Sequence, residues 1–142
     1  MKKIIFILAF CVFCGNVWAG DKVLKITQYT LKECQEKYIK SENEQAYDEK
    51  YVEQLKKTNE CLKKEIRNRA YNIFSMTRRA EFIRDLQPMY NEAEKYYEMV
   101  VFENKYANKM KNIDGYIKVQ KYLMSFYEFI LQCVFNEIYL YG

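Results

Sequence analysis

The sequence predicts an all-α fold, an antiparallel bundle of three long helices plus a short N-terminal helix. Three observations carry that prediction. Turn formers are scarce, with four glycines and one proline in 142 residues, so few chain reversals are on offer. Apolar residues recur at helical spacing over long stretches, without strand-like alternation. Capping-box patterns, a hydroxyl followed three residues later by an acid, stand where such helices would start.

Residues 20–29 read as an extended lead-in, with Val23, Leu24 and Ile26 laid against the core. Thr30 and Glu33 have capping-box spacing, so the short helix is expected to start there and bury Leu31, Cys34 and Tyr38. A polar run follows over residues 40–45, within which Ser41 and Glu44 offer a second capping box. From there Tyr47, Tyr51, Leu55, Thr58, Leu62, Ile66 and Ile73 keep helical spacing, with Arg69 and Ala70 bridging the longest step. That stripe describes an amphipathic helix of about eight turns.

Ser75, Met76 and Thr77 mark its expected end. Phe82, Ile83, Leu86, Tyr90, Ala93, Tyr97, Val100 and Val101 trace the next apolar stripe. Pro88 falls inside it and costs about 3 kcal/mol in a helix interior, which predicts a kink or break near Gln87. Residues 105–112 read as a polar loop. Asp114 and Gly115 are expected to cap a last helix in which Val119, Leu123, Phe126, Ile130, Val134 and Ile138 share a face.

Residues 1–19 have the layout of a secretory signal peptide. Lys2 and Lys3 are a basic start, residues 4–13 are apolar, and Val17 and Ala19 supply small side chains before a cut near Gly20. A membrane helix needs roughly 20 apolar residues to cross ~30 Å of hydrocarbon, and polar Asn16 interrupts this run too early. Phe10 precedes Cys11 where a lipoprotein signal takes a small residue, so no stable membrane anchor is expected. The expected organisation is a cleaved leader followed by a single helical domain over residues 20–142, periplasmic or secreted.

Cys11 and Cys14 would leave with that leader, so Cys34, Cys61 and Cys133 remain. Three cysteines allow three pairings in an oxidising compartment. Cys34 with Cys61 is favoured, because both lie in charged, helix-like surroundings whereas Cys133 sits in the apolar run 129–135 and reads as buried. Closing that loop is worth roughly 3–4 kcal/mol in the chain-entropy model. Three scattered cysteines without histidine make a poor zinc set, so no metal and no cofactor are expected.

With 23 basic and 19 acidic residues the chain carries a net charge of only +4, which promises no nucleic-acid partner. Histidine is absent. Ser-His and Cys-His nucleophile pairs and histidine acid–base catalysis are thereby removed. No glycine-rich loop offers a phosphate cradle. Glu42, Glu44, Asp48, Glu49, Glu53, Glu92, Glu94 and Glu98 mostly alternate with lysine, as on solvated helix faces. Fourteen tyrosines are the other unusual feature. Tyr116, Tyr122, Phe126, Tyr127, Phe129, Phe135, Tyr139 and Tyr141 crowd the last helix on more than one face, to fill the core or to meet a partner.

The segment 59–66, Asn-Glu-Cys-Leu-Lys-Lys-Glu-Ile, followed by Arg69-Ala-Tyr-Asn-Ile-Phe74, resembles the LprI-type lysozyme-inhibitor family of small exported bacterial proteins. Cys34 and the pair Cys61, Leu62 fill the family's cysteine positions, and residues 102–106 sit near its closing aromatic and charged cluster. The chain departs in having Ala107 after that cluster, where relatives carry a cysteine, and in having its one tryptophan, Trp18, within the leader.

The resemblance implies a binding protein rather than an enzyme, with a lysozyme-like hydrolase as the candidate protein partner. A cationic hydrolase would be met by the concentrated acidic patch of Glu42, Glu44, Asp48 and Glu49, beside the helix junction that a Cys34–Cys61 bridge would restrain. The alternative is a small envelope-glycan enzyme working through a single glutamate, which would require a pocket holding a carboxylate of raised pKa.

Overall fold

The computed structural model describes residues 20–39, 49–73, 76–102 and 112–141, with the side chains of Ile73 and residues 138–141 left aside. Four α-helices account for them: α1 Asp21–Tyr38, α2 Glu49–Ile73, α3 Met76–Val101 and α4 Ile113–Tyr141. Their lengths are 18, 25, 26 and 29 residues. The expectation of three long helices plus a short N-terminal one is therefore wrong. The predicted leader, Tyr47, and the side chains of Ile73 and Ile138 lie outside the described residues.

The correction begins at α1. The segment expected to be an extended lead-in is helical from Asp21, directly after Gly20, whose φ of 71° suits a residue without a Cβ. Thr30 does not cap a new helix. Its hydroxyl donates to the Ile26 carbonyl at 2.9 Å, and the Thr27 hydroxyl to the Val23 carbonyl at 2.7 Å, so both threonines lie inside one continuous helix. Val23, Thr27, Thr30 and Cys34 form its buried stripe. Two of those four positions are polar by type, and a search for apolar spacing passes over them.

The stripe read along α2 is present, with Tyr51, Leu55, Thr58, Leu62, Ile66 and Ala70 buried. At its end the Arg79 guanidinium, one turn into α3, donates to the Tyr71 carbonyl at 2.7 Å and lies 5.0 Å from the Tyr71 ring centre. One of the last carbonyls of α2 thus finds its donor on the next helix. No break occurs near Gln87: α3 runs through Pro88, which is exposed. Phe82, Leu86, Met89 and Tyr90 pin that stretch to the core from both sides of the proline. Packing outweighs the one backbone bond that proline removes.

α4 starts earlier than the sequence suggests. Asn112, not Asp114, supplies the cap, its Oδ1 accepting the Gly115 N–H at 2.9 Å. Gly115 is needed for space: a Cβ there would stand 2.6 Å from Cε1 of Phe102.

Side-chain pairings fix the helix directions. Cys34 meets Cys61 on α2, Tyr90 meets Lys63 on α2, and Tyr97 and Tyr90 meet Tyr122 and Tyr127 on α4 in reversed order. α3 is therefore antiparallel to α4. By contrast, Asn59 meets Gln120 and Arg69 covers Phe135, so α2 and α4 advance together. These two parallel helices share the largest contact in the bundle, and α4 also touches α1 and α3, whereas α1 and α3 do not meet among the described residues. The core is thus a diagonal slab of α2 against α4, flanked by α1 and α3.

Candidate functional site

Cys34 and Cys61 form a disulfide with an S–S distance of 2.06 Å, tying the buried face of α1 to the middle of α2. Cys133 is buried in α4. Of the acidic patch, Glu42, Glu44 and Asp48 lie outside the described residues. Glu49 is the exposed first residue of α2 and lines a shallow groove with Glu53, Lys56, Asn112 and Tyr116. Its carboxylate suits the positive end of the helix dipole there.

The tyrosine-rich last helix divides into two faces. Tyr127 and Phe135 are among the largest fully buried side chains. Tyr122 and Phe129 instead stay 45% and 40% exposed, one turn either side of Ser125. α3 adds Tyr96, 56% exposed, and the half-buried Tyr97. The three tyrosine rings are in contact through Tyr97. Tyr97 stacks on Tyr122 at 5.5 Å between centroids and 27° between planes, with Tyr96 edge-on to Tyr97 at 5.3 Å and Phe126 at 6.4 Å. The run continues inward from Phe126 to Tyr127 and on to Tyr90, 5.0 Å away and nearly perpendicular. An aromatic seam leads from the surface to the core, and its outer rings are already ordered by their neighbours.

Burial holds the Tyr90 phenol far above its ordinary pKa, with Tyr127 and Glu60 adding to the effect. Tyr127 is raised likewise, by burial first and then by Glu94 and Glu60. Both stay protonated under ordinary conditions. Lys63 Nζ lies 5.4 and 5.5 Å from the centres of these two rings, its charge shared between their faces and Glu60.

A larger groove of about 820 Å³ opens between α1, the start of α2 and α4. Leu31, Ile39, Leu55 and Met124 give it an apolar floor, and Glu36, Lys121 and Glu128 face it. Burial raises the pKa of Glu128. Sequence reading missed this residue, although a signal was present: Glu128 is the sole charge between Lys121 and Glu137. It also missed two buried acids. Asp85 is held by its neighbour Arg84 at 3.0 Å and Glu137 by Arg78 at 3.3 Å. Among the described residues no cluster of His, Cys, Asp and Glu is arranged to hold a metal ion, and no helix is long and apolar enough to cross a membrane.

No family model, no curated protein and no solved structure matches the chain.

Proposed function

We propose that the chain is an exported binding protein that acts outside the cytoplasm, in the periplasm or beyond, by stoichiometric contact with a protein partner. Residues 1–19 are its signal peptide. The observation that carries the reading is the exposed aromatic face of Tyr96, Tyr97, Tyr122 and Phe129. The rings of Tyr96, Tyr97 and Tyr122, held in place by one another, offer contact area at little ordering cost, and such side chains dominate binding energy at protein interfaces. The LprI-type resemblance around Cys34 and residues 59–74 supports a lysozyme-like hydrolase as target, and the acidic run Glu42, Glu44, Asp48 and Glu49 supports a cationic one.

Titration of lysozyme with the exported protein tests this. Inhibition that saturates at a fixed molar ratio is expected. Tyr96→Ala with Tyr122→Ala is expected to weaken it about a hundredfold or more. Reversal of Glu42, Glu44, Asp48 and Glu49 to lysine separates the acidic run from the aromatic face as the contact. Lysozyme left fully active by a molar excess, with no complex on size exclusion, refutes lysozyme as target.

One observation favours a second reading, a glycan-acting enzyme. Burial shifts the Glu128 pKa upward, the direction a general acid requires, in a groove of ligand size that Glu36 also faces. Release of soluble sugars from purified cell-wall glycan, abolished by Glu128→Gln, is the outcome this reading requires.

A further inference from the structure

The groove between α2 and α3 is chemically unlike the others. It measures about 290 Å³ and is lined by Lys63, Lys64 and Arg67 against a single acid, Glu60, with Leu86 and Tyr90 beneath. Glu60 is engaged with Lys63 at 2.8 Å. Lys64 and Arg67 are exposed and have no ion pair among the described residues. Three cations on adjacent turns of one helix repel one another, at a cost that a bound anion would remove.

A second observation comes from Tyr90. The residue is 5% exposed, and its hydroxyl is closed to solvent and has no hydrogen-bond partner among the described residues. A buried polar group left unmade costs about 1–3 kcal/mol and is uncommon in folded proteins. Burial keeps the phenol protonated, so it remains a donor at any ordinary pH. An unused donor beside a surplus of positive charge asks for the same thing as that charge: an acceptor carrying negative charge.

We propose that this groove is a binding site for a small oxyanion group, a phosphate, sulfate or carboxylate. The group pairs with Lys63, Lys64 and Arg67, and as Lys63 turns from the Tyr90 ring toward it the Tyr90 hydroxyl, closed to solvent in the free protein, is uncovered to donate a hydrogen bond to it. Glu60, on the exposed rim, is its internal competitor: it occupies Lys63 in the free protein and swings aside on binding. The site meets the inner end of the aromatic seam, where Lys63 lies over Tyr90 and Tyr127, and does not depend on a protein target.

Calorimetric titration of the full chain with inorganic phosphate, sulfate and acetate, at constant ionic strength made up with chloride, tests the proposal. Saturable binding is expected. Lys64→Gln with Arg67→Gln is expected to weaken it by more than tenfold, roughly the effect of two charge-assisted contacts. Tyr90→Phe, which keeps the ring, weakens it about tenfold through loss of one hydrogen bond. Glu60→Gln tightens binding several-fold, a gain that a merely structural role for these residues would not produce. Phosphate and sulfate binding above acetate identifies a tetrahedral occupant, and the reverse order identifies a carboxylate. Absence of saturation with all three anions, Tyr90→Phe binding as well as the parent, or weaker binding by Glu60→Gln overturns the assignment.

Discussion

The side-chain amide of Asn59 donates to both the backbone carbonyl and the side-chain Oε1 of Gln120, at 3.0 and 2.9 Å, in the middle of the α2–α4 contact. Two acceptors around one atom fix which end of the amide faces α4. A polar pair at this place sets the register of two parallel helices that apolar contacts alone would let slide.

Asn59→Ala strands the Gln120 side chain in the core and should destabilise the protein by about 1–3 kcal/mol. Asn59→Asp is expected to be worse, by about 3 kcal/mol or more, because it sets a carboxylate against two oxygens. Urea unfolding of both variants checks the order. Equal losses would mean that the amide serves only to fill space.

Loss of the Cys34–Cys61 bridge, which closes a separation of 27 residues, should cost about 2–4 kcal/mol. Reductant should lower the unfolding midpoint of the parent and leave a Cys34→Ala, Cys61→Ala double variant unmoved. Sensitivity that survives in the double variant would place the redox-active pair elsewhere.

Tyr90 and Tyr127 govern the alkaline limit. Their folded pKa values lie above those of the unfolded chain. Their contribution is therefore fully present below the unfolded value of about 10 and declines as pH rises beyond it. Stability should hold to about pH 9 and then fall, each phenol adding a slope approaching 1.4 kcal/mol per pH unit, about the linkage limit. Ultraviolet titration should show two tyrosines that ionise only on unfolding, and Tyr90→Phe should remove one of them.

Glu128 makes the same argument at the acidic end. Its pKa is raised in the folded state by burial, so ionisation above that value works against folding. Glu128→Gln should be more stable than the parent at neutral pH, with the gain shrinking as pH falls toward the unfolded glutamate value of about 4.3. A gain that does not vary with pH would point to packing instead of charge.

Much of the helix content was legible because α2 and α4 carry long apolar stripes that only one period fits. The start of α1 was not, since its inner face sets Thr27 and Thr30 together between Val23 and Cys34, their hydroxyls satisfied on the helix's own carbonyls. Pro88 misled for a related reason: its local penalty is readable, whereas the grip of Phe82, Leu86, Met89 and Tyr90 is a property of the assembled bundle. At the sites, residue type suggested an acidic patch before α2. The aromatic seam, the Glu128 groove and the cationic groove each draw on two or more helices, so their residues become neighbours only after packing.

The fourth helix touches each of the other three, and synthesis makes it last among them. A chain growing at about 5–20 residues per second has displayed the inner faces of α1, α2 and α3 for seconds before the segment that covers them exists. The disulfide does not shorten that wait, because it joins two helices already adjacent in sequence. Closure is one late event, and until it comes the half-made chain shows the kind of surface that chaperones hold.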